Sequence, residues 1–150
     1  MSVRTLQGNL LDAEEGIICQ QVNCQKKMGA GFALAIKTKW PEVYEKYMST
    51  TPELGLVDYI QVSPSCSVAN IYGQDNIAAY AGQQVTDYDA LRKAFKSIAE
   101  HCKRNGIKRV NIPFNFGCGL GGGEWIIVYN IIDAAFCWCH GIEVIIWKLP

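Results

Sequence analysis

Residues 113–125 read Pro-Phe-Asn-Phe-Gly-Cys-Gly-Leu-Gly-Gly-Gly-Glu-Trp, a glycine-rich loop between a strand-like run at 107–112 and a helix-like run at 126–139. A loop of this kind turns successive backbone N–H groups toward one point, and the positive end of the following helix dipole faces the same point. Five glycines in seven residues lose much conformational entropy on folding, which makes a plain surface turn the less favoured interpretation. The stretch predicts a phosphate-binding loop.

A second glycine-bearing loop occupies residues 23–31, Asn-Cys-Gln-Lys-Lys-Met-Gly-Ala-Gly. It follows a buried-strand candidate at 17–22, which is apolar at its start and polar toward its carboxyl end, and it precedes a helical pattern at 32–37. In open sheets flanked by helices, ligands bind beyond the carboxyl ends of the strands. The amide side chains of Gln20 and Gln21 fit such a ligand edge. Two anion sites in one small domain suit a diphosphate better than a single phosphate.

The remaining runs continue the alternation of strands and helices. Further strands are predicted at 3–6, 57–62, 66–72 and 143–147, further helices at 41–48 and 87–105, and at most one helical turn at 10–15. The Thr86 hydroxyl is predicted to cap the long helix, and residues 77–84 are predicted to be irregular. The two middle strands are close in sequence and are predicted to pair antiparallel. The order predicts an α/β fold, a three-layer α/β/α sandwich with a central mixed sheet, in one domain spanning residues 1–150.

Composition excludes several classes of function. The formal net charge is zero and no long basic run occurs, which argues against a nucleic-acid partner. No apolar run approaches the roughly 20 residues that span a bilayer, so no membrane partner is expected. Seven cysteines, an odd number without a secretion signal, indicate reduced thiols and a cytoplasmic location. Cys137 and Cys139 beside His140 are a weak metal candidate, because their spacing puts the two thiols on different sides of a helix; no metal is predicted.

Two common phosphate-binding motifs fit the glycine loop poorly. Gly117-x-Gly119-x-x-Gly122 matches the spacing of the Rossmann dinucleotide fingerprint. Only one strand follows it, however, and Glu143 lies at the start of that strand rather than at the end where a ribose binds. A P-loop is excluded because the loop contains no Gly-Lys-Ser/Thr.

The combination of motifs resembles the macrodomain family. The residues that carry the resemblance are Gly8-Asn9-Leu10, Gln21-Val22-Asn23-Cys24-Gln25 with Met28-Gly29-Ala30-Gly31, and Phe116-Gly117-Cys118-Gly119-Leu120. The resemblance covers essentially the whole chain. It is closest to the small single-domain branch, which includes ADP-ribose-1''-phosphate phosphatases and hydrolases that release ADP-ribose from glutamate.

The resemblance implies an ADP-ribose cleft across the top of the sheet. Residues 28–32 would hold the distal ribose and part of the diphosphate, residues 117–122 the rest, and adenine would lie near Asn9 and Leu10 with Trp147 as an aromatic wall. The implied ligand-binding residues are Asn9, Leu10, Gln20, Gln21, Asn23, Met28, Gly29, Ala30, Gly31, Phe32, Pro113, Asn115, Gly117, Cys118, Gly119, Leu120, Gly121, Gly122 and Trp147. Core packing for Trp147 and a turn role for Asn9 are the alternatives. The implied partners are ADP-ribose or ADP-ribose-1''-phosphate, and ADP-ribosylated protein; no cofactor or metal is implied.

The residues for catalysis are less well defined. The positions that hold aspartate, lysine and histidine in catalytic relatives are here Gly121, Gly73 and Gln20, so the lysyl-intermediate route is not supported. Glu124 is a candidate to activate water if burial raises the pKa of its carboxyl group, and a plain helix N-terminal acid is the alternative. Asn23 is a candidate to align a water molecule.

Cys118 lies among backbone amides at a predicted helix start, which predicts a lowered thiol pKa. A cysteine nucleophile is nevertheless disfavoured, because neither His101 nor His140 is placed near Cys118 by the sequence. The predicted function is hydrolysis at the distal ribose of an ADP-ribose derivative, as an ADP-ribose-1''-phosphate phosphatase or an ADP-ribosyl-protein hydrolase. The alternative is a non-catalytic ADP-ribose reader.

Overall fold

The computed structural model describes residues 3–150, which form six strands, four α-helices and one short 3-10 helix. The strands are β1 (Val3–Gln7), β2 (Gly16–Asn23), β3 (Val57–Ser63), β4 (Cys66–Gln74), β5 (Arg109–Pro113) and β6 (Glu143–Lys148). The helices are α1 (Gly31–Lys39), α2 (Pro41–Ser49), α3 (Tyr88–Asn105) and α4 (Trp125–Phe136), with the 3-10 helix at Leu10–Asp12. Each predicted element is present, and most ends move by one to three residues, as expected for boundaries set by hydrogen bonding rather than by pattern.

All six strands belong to one mixed sheet in the order β1-β6-β5-β2-β4-β3. Only β3 runs against its neighbour, β4, which confirms the predicted antiparallel pair. The other pairs are parallel, and β2 lies at the centre between β4 and β5. The carboxyl ends of β2, β4 and β5 therefore meet at the same edge of the sheet, although these strands are far apart in the sequence.

Helices cover both faces of the sheet and complete the predicted three-layer sandwich. On one face α3 and α4 bury the larger apolar cluster, which includes Ile17, Ile71 and Phe95. On the other face α1, α2 and the 3-10 helix bury two smaller clusters, around Ile18 and around Tyr47. Because successive residues of a strand point to opposite faces, the continuous apolar run of β2 supplies both layers.

Two helix ends differ from the prediction. Helix α3 is capped by Asp87, whose side chain accepts a hydrogen bond from the Ala90 amide, and not by Thr86. It ends as predicted at Gly106, which adopts the left-handed conformation with φ = 66°. Helix α4 ends at Phe136, three residues before its predicted end, and Cys139 lies in the turn that follows.

The described residues contain no disulfide, no group of side chains suited to a metal and no helix long and apolar enough to cross a membrane. All seven cysteines are free thiols. Cys139 is buried among apolar neighbours, whereas Cys137 lies at the end of α4 and is partly exposed.

Candidate functional site

A cleft of about 630 Å³ opens at the edge where β2, β4 and β5 end. The two glycine loops predicted from the sequence form facing walls of this cleft: the β2–α1 loop (residues 24–30) and the β5–α4 loop (residues 114–124). They face each other because β2 and β5 are adjacent and parallel. The volume is in the range of sites for drug-sized ligands and nucleotides.

The β5–α4 loop leaves several backbone amides free to bind an anion. Gly117 has φ = 72°, a conformation that favours glycine, and its carbonyl accepts hydrogen bonds from the Gly123 amide and the Thr86 hydroxyl. Within residues 3–150, the amides of Gly117, Leu120 and Gly121 have no hydrogen-bond acceptor. Since these residues line the cleft, the loop fits the predicted phosphate-binding role.

The side chain of Asn23 holds the β2–α1 loop in shape. Its Nδ2 donates to the Lys27 carbonyl (2.9 Å), and its Oδ1 accepts from the amides of Gln25 (3.0 Å) and Lys27 (3.3 Å). The buried hydroxyl of Tyr47 donates to Asn23 as well, at 2.8 Å from Oδ1. Burial raises the pKa of Tyr47 to about 12, so this hydroxyl stays protonated near neutral pH. The side chain of Asn23, which was predicted to align a water molecule, is thus used in hydrogen bonds that hold the loop.

The amino end of α1 also lines the cleft. Helix α1 begins at Gly31 without a side-chain cap, so its first amides are left for water or a ligand. The first turn of α4, in contrast, does not line the cleft, whose wall ends at Gly121. The helix that contributes its amino end to the lining is therefore α1, and a contribution of the α4 dipole stays a prediction.

A third wall comes from the β4–α3 segment (residues 75–87), of which the sequence analysis predicted only that residues 77–84 are irregular. Ile77 and Ala78 line the cleft, together with Gln74 at the end of β4. Ile77 is exposed, an apolar side chain at the rim of a polar site. The sequence gives no local pattern that assigns this segment to the cleft, because only the sheet order places the end of β4 beside the end of β2.

A chain of side-chain hydrogen bonds joins the strands β2 and β4 to two of the walls, the β4–α3 segment and the β5–α4 loop. The Nε2 of Gln21 donates to Gln74 Oε1 (2.8 Å) and to the hydroxyl of Thr86 (2.9 Å). That hydroxyl in turn donates to the Gly117 carbonyl at 2.7 Å. Thr86 is buried, and the network links β2, the end of β4, the β4–α3 segment and the β5–α4 loop, which fixes these segments relative to one another.

Gly121 and Gly73 must be glycines because a side chain at either position would collide with residues of this network, and not because of their backbone conformation. A Cβ atom at Gly121 would lie 2.3 Å from the Thr86 hydroxyl oxygen and 2.6 Å from the Gly117 carbonyl oxygen. A Cβ atom at Gly73 would lie 2.2 Å from Gln21 Oε1. Gly119 and Gly29 differ, since a Cβ atom at either position meets no atom within 4 Å.

Gln20 brings an unused hydrogen-bond acceptor to the cleft. Its side chain is 1% exposed, and its Nε2 donates to Asn70 Oδ1 at 2.7 Å across the β2–β4 pair. Within residues 3–150, neither Gln20 Oε1 nor Asn70 Nδ2 has a partner. A buried acceptor and a buried donor left open side by side are costly unless a ligand or water satisfies them.

Groups that exchange protons near neutral pH are scarce in the cleft. Of its described lining residues, Lys27 alone has an ionisable side chain. Glu124 is exposed and lies outside the lining, where its backbone amide donates to the Tyr88 hydroxyl. Burial, together with the charge of Glu124, raises the pKa of Cys118 to about 11, so the prediction of a lowered thiol pKa is wrong.

The structure brings most of the predicted ligand-binding residues into the cleft. Those that line it are Gln20, Gln21, Asn23, Met28, Gly29, Ala30, Gly31, Phe32, Pro113, Asn115, Gly117, Gly119, Leu120 and Gly121. Those that do not are Asn9, Leu10, Cys118, Gly122 and Trp147. Lining residues outside the predicted ligand-binding set are Val22, Lys27, Ala33, Gln74, Ile77, Ala78, Phe114 and Phe116.

The residues outside the cleft have structural contacts of their own. Asn9 caps the 3-10 helix through its side chain, and Leu10 is buried in the core under α1. Trp147 packs against the same core cluster, and its indole N–H donates to Asn111 Oδ1 at 2.9 Å. Gly122, with φ = 71°, lies against the backbone of the β4–α3 segment, since a Cβ atom there would be 2.2 Å from the Gln83 carbonyl oxygen.

Residues 19–132 match the Macro domain family, a span that contains both glycine loops, β5 and most of β2. The chain belongs to the macrodomain family. This agrees with the resemblance noted in the sequence and with the six-stranded mixed sheet between helices.

Individual relatives of this macrodomain are distant. It is 28% identical over 121 residues to ADP-ribose glycohydrolase OARD1 of Bos taurus, covering 79% of this chain and 71% of that protein. It superimposes on a protein of unknown function from Bacteroides thetaiotaomicron with a TM-score of 0.85 and 30% identity, covering 99% of both chains. Thermosipho africanus DarTG, solved in complex with ADP-ribose, shares the fold at a TM-score of 0.81 and 21% identity, over 99% of this chain and 42% of that one.

Proposed function

We propose that this macrodomain binds ADP-ribose in the cleft between its two glycine loops. The observation that carries the proposal is that free backbone amides from the β5–α4 loop and from the start of α1 line one cleft. A diphosphate offers oxygens to both sets of amides, and no side chain needs to supply a counter-charge beyond Lys27. The complex of ADP-ribose with the structurally similar DarTG supports the choice of ligand.

The distal ribose and the adenine base of the ligand are assigned to lining residues by their hydrogen-bonding and stacking groups. Gln20 Oε1 is an acceptor for a hydroxyl of the distal ribose, because it is buried, unpartnered and part of the lining. Phe32 and Phe114 are half-buried in the cleft wall and offer aromatic faces for the adenine base. They replace Trp147 in that role, since the indole of Trp147 is engaged in the core.

Calorimetry with ADP-ribose, AMP and NAD tests this proposal. Gly29→Glu and Gly119→Glu each add a carboxylate to one glycine loop at a position where a Cβ atom meets nothing within 4 Å, so the fold is expected to survive. A like charge beside the diphosphate costs several kcal/mol, and we expect Kd for ADP-ribose to rise at least about a hundredfold in each variant. Gln7→Glu on the exposed face of β1 adds the same charge away from the cleft and is the matched control. Unchanged affinity in both loop variants would remove the cleft from consideration.

We infer that binding occurs without efficient turnover, as in a reader of ADP-ribosylated protein. The observation in favour is that no carboxylate, histidine or cysteine is found among the described residues that line the cleft. General acid–base catalysis requires such a group within hydrogen-bond reach of the reacting atoms. The positions of the expected aspartate and lysine, Gly121 and Gly73, are packed against the Gln21 and Thr86 side chains and leave no space for a longer residue.

Hydrolysis at the distal ribose is the second candidate, supported by the similarity to OARD1, a glycohydrolase. In this case bound substrate and backbone amides would orient the attacking water, with Gln20 and Asn23 as its polar neighbours. Assays on ADP-ribose-1''-phosphate and on ADP-ribosylated protein separate the two candidates. Turnover by the intact protein that Gly119→Glu abolishes would establish hydrolysis. Loss of that turnover in Glu124→Gln would give Glu124 a role that its exposed position does not suggest.

A further inference from the structure

A second recess lies on the outer surface of α3 and α4, apart from the ADP-ribose cleft. It is a groove of about 610 Å³ between the two helices. Its floor is apolar and built from small or buried side chains, including Ala99, Ile131, Ala135 and Cys139. Alanine at these facing positions keeps the groove open, because larger side chains would close the space between the helices.

Trp138 stands at one end of the groove with 82% of its surface exposed. It follows the end of α4 and is not part of any core cluster. A tryptophan side chain offers a large aromatic surface, and tryptophan is enriched among the residues that dominate protein interfaces. The groove and Trp138 together form a contiguous apolar surface. Single exposed apolar side chains are common on proteins, whereas a contiguous apolar surface is typical of an interaction site.

The rim of the groove on the α3 side is positively charged. Arg92, Lys96 and Lys103 line it along one face of the helix, with Glu100 as the one acidic residue among them. Arg92 pairs with Asp89, whereas Lys96 and Lys103 form no ion pair within residues 3–150. The α4 side contributes apolar residues and Asn130 but no charge. The surface thus combines an apolar floor with a cationic edge on one side only.

We propose that this groove binds an amphipathic helix of a protein partner, with acidic residues along one edge of its apolar stripe. From Arg92 to Lys103 the groove runs along about three helical turns, or roughly 16 Å, which suits a helix of similar length. Aliphatic side chains at positions i, i+4 and i+7 fill the floor, and one of them packs on Trp138. Carboxylates flanking that stripe face Lys96 and Lys103 and set the orientation of the helix.

Selection from a displayed peptide library tests the proposal and does not require the partner to be identified first. The library consists of helices of about 15 residues with a fixed leucine stripe and random residues at the flanking positions. We expect intact protein to enrich peptides with Asp and Glu at the flanking positions on one side of the stripe. A synthetic copy of an enriched peptide is expected to bind at least about tenfold more weakly to Trp138→Ala and to Lys96→Glu/Lys103→Glu. The double charge variant is expected to prefer the same peptide with its acids replaced by lysine.

Two exposed residues outside the groove provide controls for the charge change and for the loss of an apolar side chain. Lys93→Glu changes the same charge on α3 outside the groove lining, and Leu149→Ala removes another exposed apolar side chain; both are expected to leave peptide binding unchanged. Trp138 is exposed, so its loss is not expected to unfold the protein, which circular dichroism checks. Enrichment without acidic bias, or binding that the groove variants do not affect, would overturn the proposal. Concentration-dependent dimerisation that Trp138→Ala abolishes would overturn it in favour of a second copy of this chain.

Discussion

At the scale of single residues, Gly121 and Gly119 show that two glycines of one loop serve different purposes. A Cβ atom at Gly121 would collide with the Thr86 hydroxyl and the Gly117 carbonyl, whereas one at Gly119 would project into open space. We expect Gly121→Ala to lower the free energy of unfolding by about 1–3 kcal/mol and to weaken ADP-ribose binding, because the loop must shift. Gly119→Ala is the matched control, with an expected change within about 0.5 kcal/mol. Urea denaturation measures both, and equal effects would contradict the assigned role of Gly121.

Cys118 allows a second test at this scale. Burial raises the pKa of its thiol to about 11, so roughly one molecule in a thousand carries the thiolate at pH 8. We expect iodoacetamide to modify Cys118 slowly at pH 8 and the rate to rise about tenfold per pH unit up to pH 10. Mass spectrometry of the cysteine-containing peptides, with Cys118→Ser to assign the site, follows the reaction. A rate that is already fast and constant between pH 7 and 8 would indicate an activated thiol instead.

At the scale of elements, His101 on α3 packs flat against Tyr59 on β3, with ring centroids 4.0 Å apart and planes 13° from parallel. Burial lowers the pKa of His101, and the nearby Arg104 lowers it further. The unfolded chain therefore binds a proton more readily than the folded protein. The stabilising effect is complete above the ordinary histidine pKa of about 6.5, and it is lost as the pH falls from there through the folded pKa.

We accordingly expect the free energy of unfolding to decrease as the pH is lowered from 7.5 to 5.5. His101→Phe keeps a ring against Tyr59 and removes the titrating group, so its unfolding free energy is expected to fall less over the same range. Urea denaturation at several pH values measures the difference between the two proteins. Parallel curves for the variant and the natural protein would show that His101 does not cause the pH dependence.

At the scale of the whole molecule, the cleft joins segments that follow three strands, β2, β4 and β5. A ligand that contacts all three walls binds the folded state only. At a concentration one hundred times Kd, ADP-ribose is expected to add about 2.7 kcal/mol to the unfolding free energy. For a chain of this size that corresponds to a rise in Tm of about 5–10 °C. Thermal denaturation with and without ligand tests this, and a rise of the same size in Gly119→Glu would place the ligand elsewhere.

Local sequence patterns were sufficient to define the elements, the class of fold and the two glycine loops. The apolar start of 17–22 identifies β2, glycine stretches such as 117–123 identify loops that bring backbone close to a ligand, and Gly106 ends α3. These are local features, because hydrophobic periodicity and glycine conformation depend on residues near in sequence. The same features carry the macrodomain resemblance, which the match over residues 19–132 confirms.

Which residues share the cleft, in contrast, depends on how the chain packs in three dimensions. The sheet order places β2 between β5 and β4, and this adjacency brings Ile77 and Gln74 to the site and links Gln21 to Thr86. The same packing leaves Glu124 and Trp147 outside the cleft. Glu124 is close to the glycine loop in sequence, and Trp147 was expected at the cleft from the family resemblance. Side-chain direction and strand adjacency arise from packing between distant segments, and a single sequence contains no local pattern that reports them.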